Sequence, residues 1–346
     1  MKAIAMMLVA AALMCSRATY GDNTSIVECA DILDDSSRLR CYDELAADIN
    51  AAADSTRAQQ NSIAINLSDA RQDKAPAQVE DARPDFISER VQTQSKVADS
   101  RFVIIPYHRN YLLPLTYNSN INEEAWNIAY PDTGMDKAEV KFQISMKAIM
   151  WQNLFGTDID LWGAYTQTNW MQAYNTDASS PFRETNYEPE AILSMPNDWY
   201  FLGLHNTRLD LSFNHQSNGT SEPLSRSWNR IIASALFERD NFALLTSAWY
   251  RIPERSKDDD NPDIDRFMGH GQLQGEWKWS HYTFGFTFRN NLRKNNKGAI
   301  QLDWTFPISK RFTGYVQYFN GYGESLIDYD ESSNRIGIGV SLTDPF

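Results

Sequence analysis

The last eleven residues of the chain read Ile336-Gly-Ile-Gly-Val-Ser-Leu-Thr-Asp-Pro-Phe346. Apolar side chains stand at every second position from Ile336 to Leu342, and Phe346 falls in the same phase. Successive side chains of a β-strand point to opposite faces, so this period of two predicts a strand with one apolar and one polar face. The same alternation recurs upstream, in segments 140–147, 209–213, 282–288 and 302–308. The chain is therefore expected to be all-β after its N-terminal region.

Two all-β architectures fit this alternation: a soluble sandwich with polar faces outside, and a membrane barrel with apolar faces outside and a polar lumen. The chain opens with Met1-Lys2, an apolar stretch over 3–14 and small or polar residues up to Gly21, the order of a secretory signal peptide. Aromatic residues make up 12% of the chain. The terminal Phe346 resembles the closing aromatic signal of outer-membrane barrels. Together these features favour a transmembrane antiparallel β-barrel of about 12 strands, at about 10 residues per strand.

The sequence predicts four regions, with bounds at 1–21, 22–50, 51–100 and 101–346. The first is the signal peptide. The second contains Cys29 and Cys41, which predict a disulfide that staples a short periplasmic helical segment after export. A metal site is the weaker alternative, because no second cysteine pair or nearby histidine adds ligands. The third region is nearly devoid of aromatic residues and predicts a flexible linker. The fourth is the barrel.

The formal net charge of −13 leaves no excess of basic residues with which to hold phosphates. Nucleic acid is therefore an unsuitable partner. A barrel of alternating strands instead points to the outer membrane of a Gram-negative bacterium as the environment of the protein.

Three polar residues stand out on the predicted outer face of the barrel. His215 and Ser217 continue the apolar phase that begins at Leu209, and Asn229 shares the outward phase of Ile231 on the next strand. If the two strands form a hairpin, Asn229 returns beside His215. A serine hydroxyl needs a neighbouring base to act as a nucleophile, and that base needs a third group to fix its tautomer. An asparagine amide oxygen can serve as that third group.

On the parity of these strands alone, a passive porin or a structural barrel is the favoured alternative. A polar pair at the rim of a strand has many non-catalytic explanations. Such a porin would have a conducting lumen, whereas opposed charges on the lumen phase could pair and fill a small barrel.

Several longer blocks give a more specific indication. They resemble the outer-membrane phospholipase A family, and together they extend from Tyr107 to Phe346, leaving the cysteine-containing N-terminal region outside the resemblance. The blocks are Asn214–Gly219, Ser225–Arg230, Ser179–Pro189, Asp259–Ile264 and Gly321–Tyr329.

The resemblance implies calcium-dependent hydrolysis of the acyl esters of glycerophospholipids, with phospholipase A1, phospholipase A2 and lysophospholipase activity. His215, Ser217 and Asn229 would be the catalytic residues. The backbone N–H of Gly219, together with calcium, would form the oxyanion hole.

The resemblance also implies a set of calcium ligands. They would be the carbonyl of Thr220, the hydroxyl of Ser225 and the carbonyl of Ser179 of the partner subunit, with Glu222 and Asp260 as acidic support. The chain departs from the family at two positions, with Thr220 in place of Arg and Glu222 in place of Asp. A carbonyl ligand does not depend on its side chain, whereas the longer Glu222 changes the reach of the acidic group.

Gln167 aligns with a glutamine at the dimer interface of the family. Its phase partners Ile159, Leu161 and Tyr165 are apolar or aromatic, so the sequence places this amide in the lipid-facing band. A polar group there is costly unless another subunit pairs with it. The expected active form is therefore a homodimer, with dimerisation regulating activity.

Overall fold

The computed structural model describes residues 104–309 and 312–343, together with residues 34, 37 and 39–41. Residues 37 and 39–41 are helical, and Cys41 is disulfide-bonded. Cys29, the signal peptide at 1–21 and the linker at 51–100 lie outside the described residues. The pairing of Cys29 with Cys41 and the four-region division of the chain therefore stay predictions.

The described part of the chain is dominated by antiparallel strands. They are β1 (Ile104–Pro106), β2 (Tyr111–Asn118), β3 (Ala138–Trp151), β4 (Asp160–Met171), β5 (Phe182–Phe201), β6 (Leu204–Ser217), β7 (Ser227–Arg239), β8 (Phe242–Arg251), β9 (Gly271–Trp279), β10 (Tyr282–Asn290), β11 (Gly298–Pro307), β12 (Thr313–Tyr322) and β13 (Ser332–Ser341). The helical elements are α1 (Glu123–Ala129), α2 (Asp265–Met268) and a 3-10 turn at Leu154–Gly156. None of these helices is long and apolar enough to cross a membrane.

Strands β2 to β13 form a closed barrel. Each pairs with its neighbours in sequence, and β13 returns to pair with β2, while the short β1 adds to one end of β3. The ring therefore has twelve strands, as the sequence predicts. Closure removes the unpaired strand edges that an open sheet would expose.

The faces of the strands follow the predicted alternation. On β13, Ile336 and Ile338 are about half exposed on the outside, whereas Arg335 is buried. On β6, Leu211 and Phe213 are exposed and Ser212 and Asn214 are buried. Apolar side chains thus cover the outer wall, and polar side chains fill the lumen.

The two ends of the barrel differ in the length of their connections. At one end, the turns β5–β6, β7–β8 and β9–β10 have two residues each, and Leu202, Asp240 and Ser280 adopt positive φ in them. At the other end, connections such as 218–226, 252–270 and 323–331 are longer. In transmembrane barrels, the short turns are periplasmic and the long loops extracellular. The C-terminal end of β6, with Ser217, therefore lies at the extracellular rim.

The lumen is crossed by ion pairs. Arg183 contacts Glu139 at 2.7 Å and Asp328 at 2.8 Å, and Lys141 contacts Glu324 at 3.0 Å. These side chains are almost completely buried, so each charge needs its partner to offset the cost of leaving water. The pairs place opposed charges across the lumen, beside a cavity of about 290 Å³ that Lys141 and Glu324 help to line.

Candidate active site

The hairpin of β6 and β7 brings the three outward polar residues together. His215 lies directly opposite Asn229 in the ladder, and Ser217 lies opposite Ser227. The Nδ1 atom of His215 is 2.9 Å from the Oδ1 atom of Asn229. Since an amide oxygen only accepts hydrogen bonds, His215 carries its proton on Nδ1 and leaves Nε2 free to act as a base.

Ser217 is half-buried on the same face, two residues beyond His215. Its side chain makes no hydrogen bond to another described residue. The hydroxyl is therefore not held in a structural role, and it shares a face of β6 with the imidazole that it would need as a base, although no hydrogen bond joins the two.

The loop that follows β6 is organised by Asn218, which is not among the predicted site residues. Its buried amide donates to the Leu224 carbonyl at 2.8 Å and accepts from the backbone N–H of Arg226 at 3.0 Å and of Thr220 at 3.3 Å. An Asn before a Gly is a common turn signal, so the sequence could have predicted that Asn218 lies in a turn. It could not have predicted the hydrogen bonds that Asn218 makes across the loop. These bonds fix the backbone around Gly219.

Gly219 has φ of +67°, a conformation that favours glycine. A Cβ at this position would lie 3.0 Å from Cε2 of Tyr187. Among the described residues, no acceptor takes up the backbone N–H of Gly219. This N–H lies two residues after the candidate nucleophile Ser217 and has no acceptor in the described residues. An oxyanion hole requires a donor of this kind.

Oxygen atoms from two loops converge near this rim. The hydroxyl of Ser225 donates to Oδ2 of Asp260 at 2.5 Å. The proximity of the Asp260 carboxyl raises the pKa of Glu222, through hydrogen bonding, slight desolvation and the repulsion of its charge. Two carboxyl groups this close repel each other when both are ionised, which a cation would relieve.

This donor set fits calcium, which prefers hard oxygen ligands from carboxylates, hydroxyls and carbonyls. Within 104–309 and 312–343, no three His, Cys, Asp or Glu side chains converge to bind a metal ion. Hydroxyl and carbonyl oxygens would have to complete the coordination. Thr220 is exposed in the same loop as Glu222 and Ser225.

The structure does not bring Ser179 into this cluster. Ser179 is exposed in the connection between β4 and β5, with φ of +61°, and its N–H donates to the Thr176 carbonyl at 3.1 Å. Its own carbonyl has no hydrogen-bond partner in the described part of the chain. It is thus available to a neighbouring molecule.

Gln167 lies on the outer wall, where the register aligns it with Ile144 on β3 and Tyr187 on β5, the neighbour of Ser217. Its amide accepts a hydrogen bond from Tyr165 at 2.9 Å and donates one to Asn169 at 2.8 Å. The chain itself thus supplies one donor and one acceptor to this amide, and the role of Gln167 at a dimer interface stays a prediction.

Glu254 is a further residue that is absent from the predicted site. Its Oε1 atom accepts a hydrogen bond of 2.8 Å from the Nδ2 atom of Asn229. No sequence signal marks it, since it lies in a loop beyond β8 and reaches Asn229 only through the pairing of β7 with β8.

Comparisons with known proteins show which family this chain is similar to. The sequence model of the family described as Phospholipase A1 matches residues 87–342. Phospholipase A1 of Escherichia coli K12 is 39% identical over 250 residues, covering 72% of this chain and 84% of that protein. A putative phospholipase A1 of Neisseria meningitidis is 35% identical over 347 residues, covering 92% of this chain and 91% of that protein. The N-terminal region, expected to lie outside the resemblance, is thus largely included in this last match.

Solved structures give the same result. Outer membrane phospholipase A from Escherichia coli is 38% identical, with a TM-score of 0.66 over 71% of this chain and 100% of that chain. The outer membrane phospholipase of Salmonella typhi, solved as a dimer with bound calcium, is 37% identical, with a TM-score of 0.67 over 71% of this chain and 94% of that chain.

Proposed function

The chain belongs to the phospholipase A1 family and is a phospholipid-hydrolysing barrel of the outer membrane, and we propose that His215, Ser217 and Asn229 carry the reaction with calcium as cofactor. The observation that supports this best is the 2.9 Å hydrogen bond between His215 and Asn229. It orients an imidazole on the outer wall with its Nε2 atom available, on the same strand face as the serine hydroxyl two residues further on.

The proposed reaction is acyl transfer through a covalent intermediate. Ser217 Oγ attacks the carbonyl carbon of the phospholipid ester while His215 Nε2 takes the hydroxyl proton. His215 then returns that proton to the departing glycerol oxygen, which releases lysophospholipid. Water, deprotonated by His215, attacks the acyl-serine and releases the fatty acid. Asn229 keeps the imidazole in the required tautomer, and Gly219 N–H donates to the oxyanion.

The position of the site explains how a water-insoluble substrate reaches it. His215 and Ser217 face outward, at the extracellular rim, directly above the exposed Leu211 and Phe213 on the same strand. A phospholipid in the outer leaflet can therefore place its acyl chains against the barrel wall and its ester beside Ser217, without leaving the membrane. Acyl esters at both glycerol positions, and those of lysophospholipids, are the proposed substrates.

Calcium would be held by the Ser225 hydroxyl, the Thr220 carbonyl and the acidic pair Glu222 and Asp260. The carbonyl of Ser179 of the partner subunit would complete the site. When bound, the ion would supply positive charge that stabilises the oxyanion. The bound calcium of the Salmonella typhi structure supports this proposal.

We further propose that the active form is a homodimer. Gln167 and Tyr187 lie on the same outer face as Ser217, so two barrels that meet there would place their rims side by side. A partner carbonyl could then reach the Thr220–Ser225 loop. The dimeric Salmonella typhi relative supports this arrangement.

The test is fatty-acid release from mixed phospholipid–detergent micelles by the purified protein, with calcium and with chelator. Ser217→Ala should abolish release, and chelator should abolish it in the wild type. Ser234→Ala is the matched control, because Ser234 faces the lumen and contacts Ser247 at 2.9 Å. Calcium-independent release, or release by the Ser217→Ala protein, would overturn the mechanism.

Single-channel conductance would test the porin alternative, which the paired lumen charges oppose.

A further inference from the structure

Asn229 is held from both sides. Its Oδ1 atom faces His215 Nδ1 at 2.9 Å, and its Nδ2 atom donates to Glu254 Oε1 at 2.8 Å. Glu254 is half-buried and lies three residues beyond the end of β8. The backbone brings Glu254 close to Asn229. Ile252 N–H donates to the Asn229 carbonyl at 2.8 Å, which extends the β7–β8 ladder past Arg251.

The contact decides which way the Asn229 amide points. An amide group is nearly symmetric in shape, so packing alone distinguishes poorly between its oxygen and its nitrogen. An ionised carboxylate can only accept hydrogen bonds, so Glu254 selects the orientation in which the amide nitrogen faces it. The oxygen must then face His215, and only that orientation leaves the proton on Nδ1 and the lone pair on Nε2.

We propose that Glu254 is a positioning residue for catalysis, which locks the Asn229 amide in the orientation that His215 needs. This inference rests on the proposed role of Asn229. In a serine hydrolase whose third residue is aspartate, both carboxylate oxygens accept, and no such lock is needed. An asparagine presents one acceptor and one donor, so its flip would turn the amide nitrogen toward His215 Nδ1 and favour the tautomer with the proton on Nε2, which cannot act as the base. Glu254 removes that alternative.

A simple solvated loop carboxylate is the competing explanation. Asp258, four residues after Glu254, is such a solvated carboxylate. Within the described residues its side chain pairs only with the exposed Arg255, whose Nε atom is 2.7 Å from Asp258 Oδ2. Glu254 differs from it in being half-buried and in bonding a residue of the proposed catalytic set.

The test is a set of variants of the full-length protein, with kcat and KM measured for fatty-acid release in the presence of calcium. Glu254→Ala should lower kcat about 10- to 100-fold with little change in KM, because it removes a hydrogen bond to a charged group. Glu254→Gln should lower kcat less than Glu254→Ala does, because its amide oxygen can still accept from Asn229 while its amide nitrogen no longer excludes the flipped orientation. Asp258→Ala should behave as wild type.

A double-mutant cycle separates positioning from general damage to the loop. In an Asn229→Ala background there is no amide to orient, so Glu254→Ala should have no further effect on kcat. Electrophoretic mobility without heating verifies that each barrel is folded. The inference is overturned if folded Glu254→Ala keeps full kcat, or if the two losses simply multiply. Failure of the proposed triad would be recognised separately, by activity in the Ser217→Ala protein.

Discussion

Arg335 on β13 and Glu139 on β3 form an ion pair of 2.7 Å inside the lumen, with side chains that are 2% and 0% exposed. The strand between them is β2, and its Thr116 accepts a hydrogen bond from Arg335 and donates one to the Glu139 carbonyl, both at 2.9 Å. The pair therefore spans the seam where the last strand of the barrel meets the first. Side-chain charge reinforces the closure that backbone pairing begins.

Arg335→Met should destabilise the barrel by about 3–5 kcal/mol, because it leaves the buried carboxylates of Glu139 and Glu324 without this partner. Reversible urea unfolding in lipid vesicles would measure the change. The matched control is Arg239→Met, which removes a 3.8 Å pair with Asp240 between largely exposed side chains. That change should cost less than about 1 kcal/mol. Equal effects of the two variants would show that the seam pair has no special role.

Asn229→Ala should lower kcat about 10- to 100-fold, because His215 loses the acceptor for its Nδ1 proton while Ser217 and the oxyanion donor stay in place. KM should change little, since Asn229 does not contact the acyl chain in the proposed mechanism. Steady-state kinetics of the folded variant would measure both constants. Unchanged kcat would remove Asn229 from the catalytic set.

Gly219→Ala should lower kcat by at least about tenfold through displacement of its N–H, since loss of an oxyanion donor costs on the order of 100-fold or more. The added Cβ would lie 3.0 Å from the Tyr187 ring, at a φ of +67° that disfavours alanine. Gly134→Ala is the control, because no atom lies within 4 Å of a Cβ there. If both variants release fatty acid at the wild-type rate, the oxyanion hole lies elsewhere.

Ser225→Ala and Asp260→Asn should raise the calcium concentration needed for half-maximal activity, and saturating calcium should restore much of the rate. The reason is that each variant removes an oxygen donor from the proposed site or its acidic support. Titration of activity with calcium would reveal the shift. Asp258→Asn, in the same loop but paired with Arg255, should titrate like the wild type.

Gln167→Ala should weaken the proposed dimer only modestly, by about 0.5–2 kcal/mol, which is the range for hydrogen bonds between transmembrane segments. Its amide already bonds Tyr165 and Asn169 within one chain, so little is left unsatisfied in the monomer. Chemical crosslinking in active membranes would measure the dimer fraction. Leu302→Ala, on the outer face of β11, is the control. If only monomers were found in active membranes, the dimer proposal would fail.

The strands and their faces follow from the amino-acid sequence. Alternation with a period of two is a local property of the chain, so the outward placement of His215, Ser217 and Asn229 could be derived from the order of the residues. The same reasoning predicted about twelve strands, because strand length is fixed by the thickness of the membrane.

Contacts between distant segments depend on the tertiary fold. Glu254 reaches Asn229, and Ser225 reaches Asp260, only because β8 pairs with β7 and the loops fold over the same rim. The partners of Gln167 were also not readable, since alternation shows which face a side chain occupies but not what lies beside it. Periodicity fixes the direction of each side chain, whereas register, ring closure and loop geometry fix its neighbours, and these depend on the whole barrel at once.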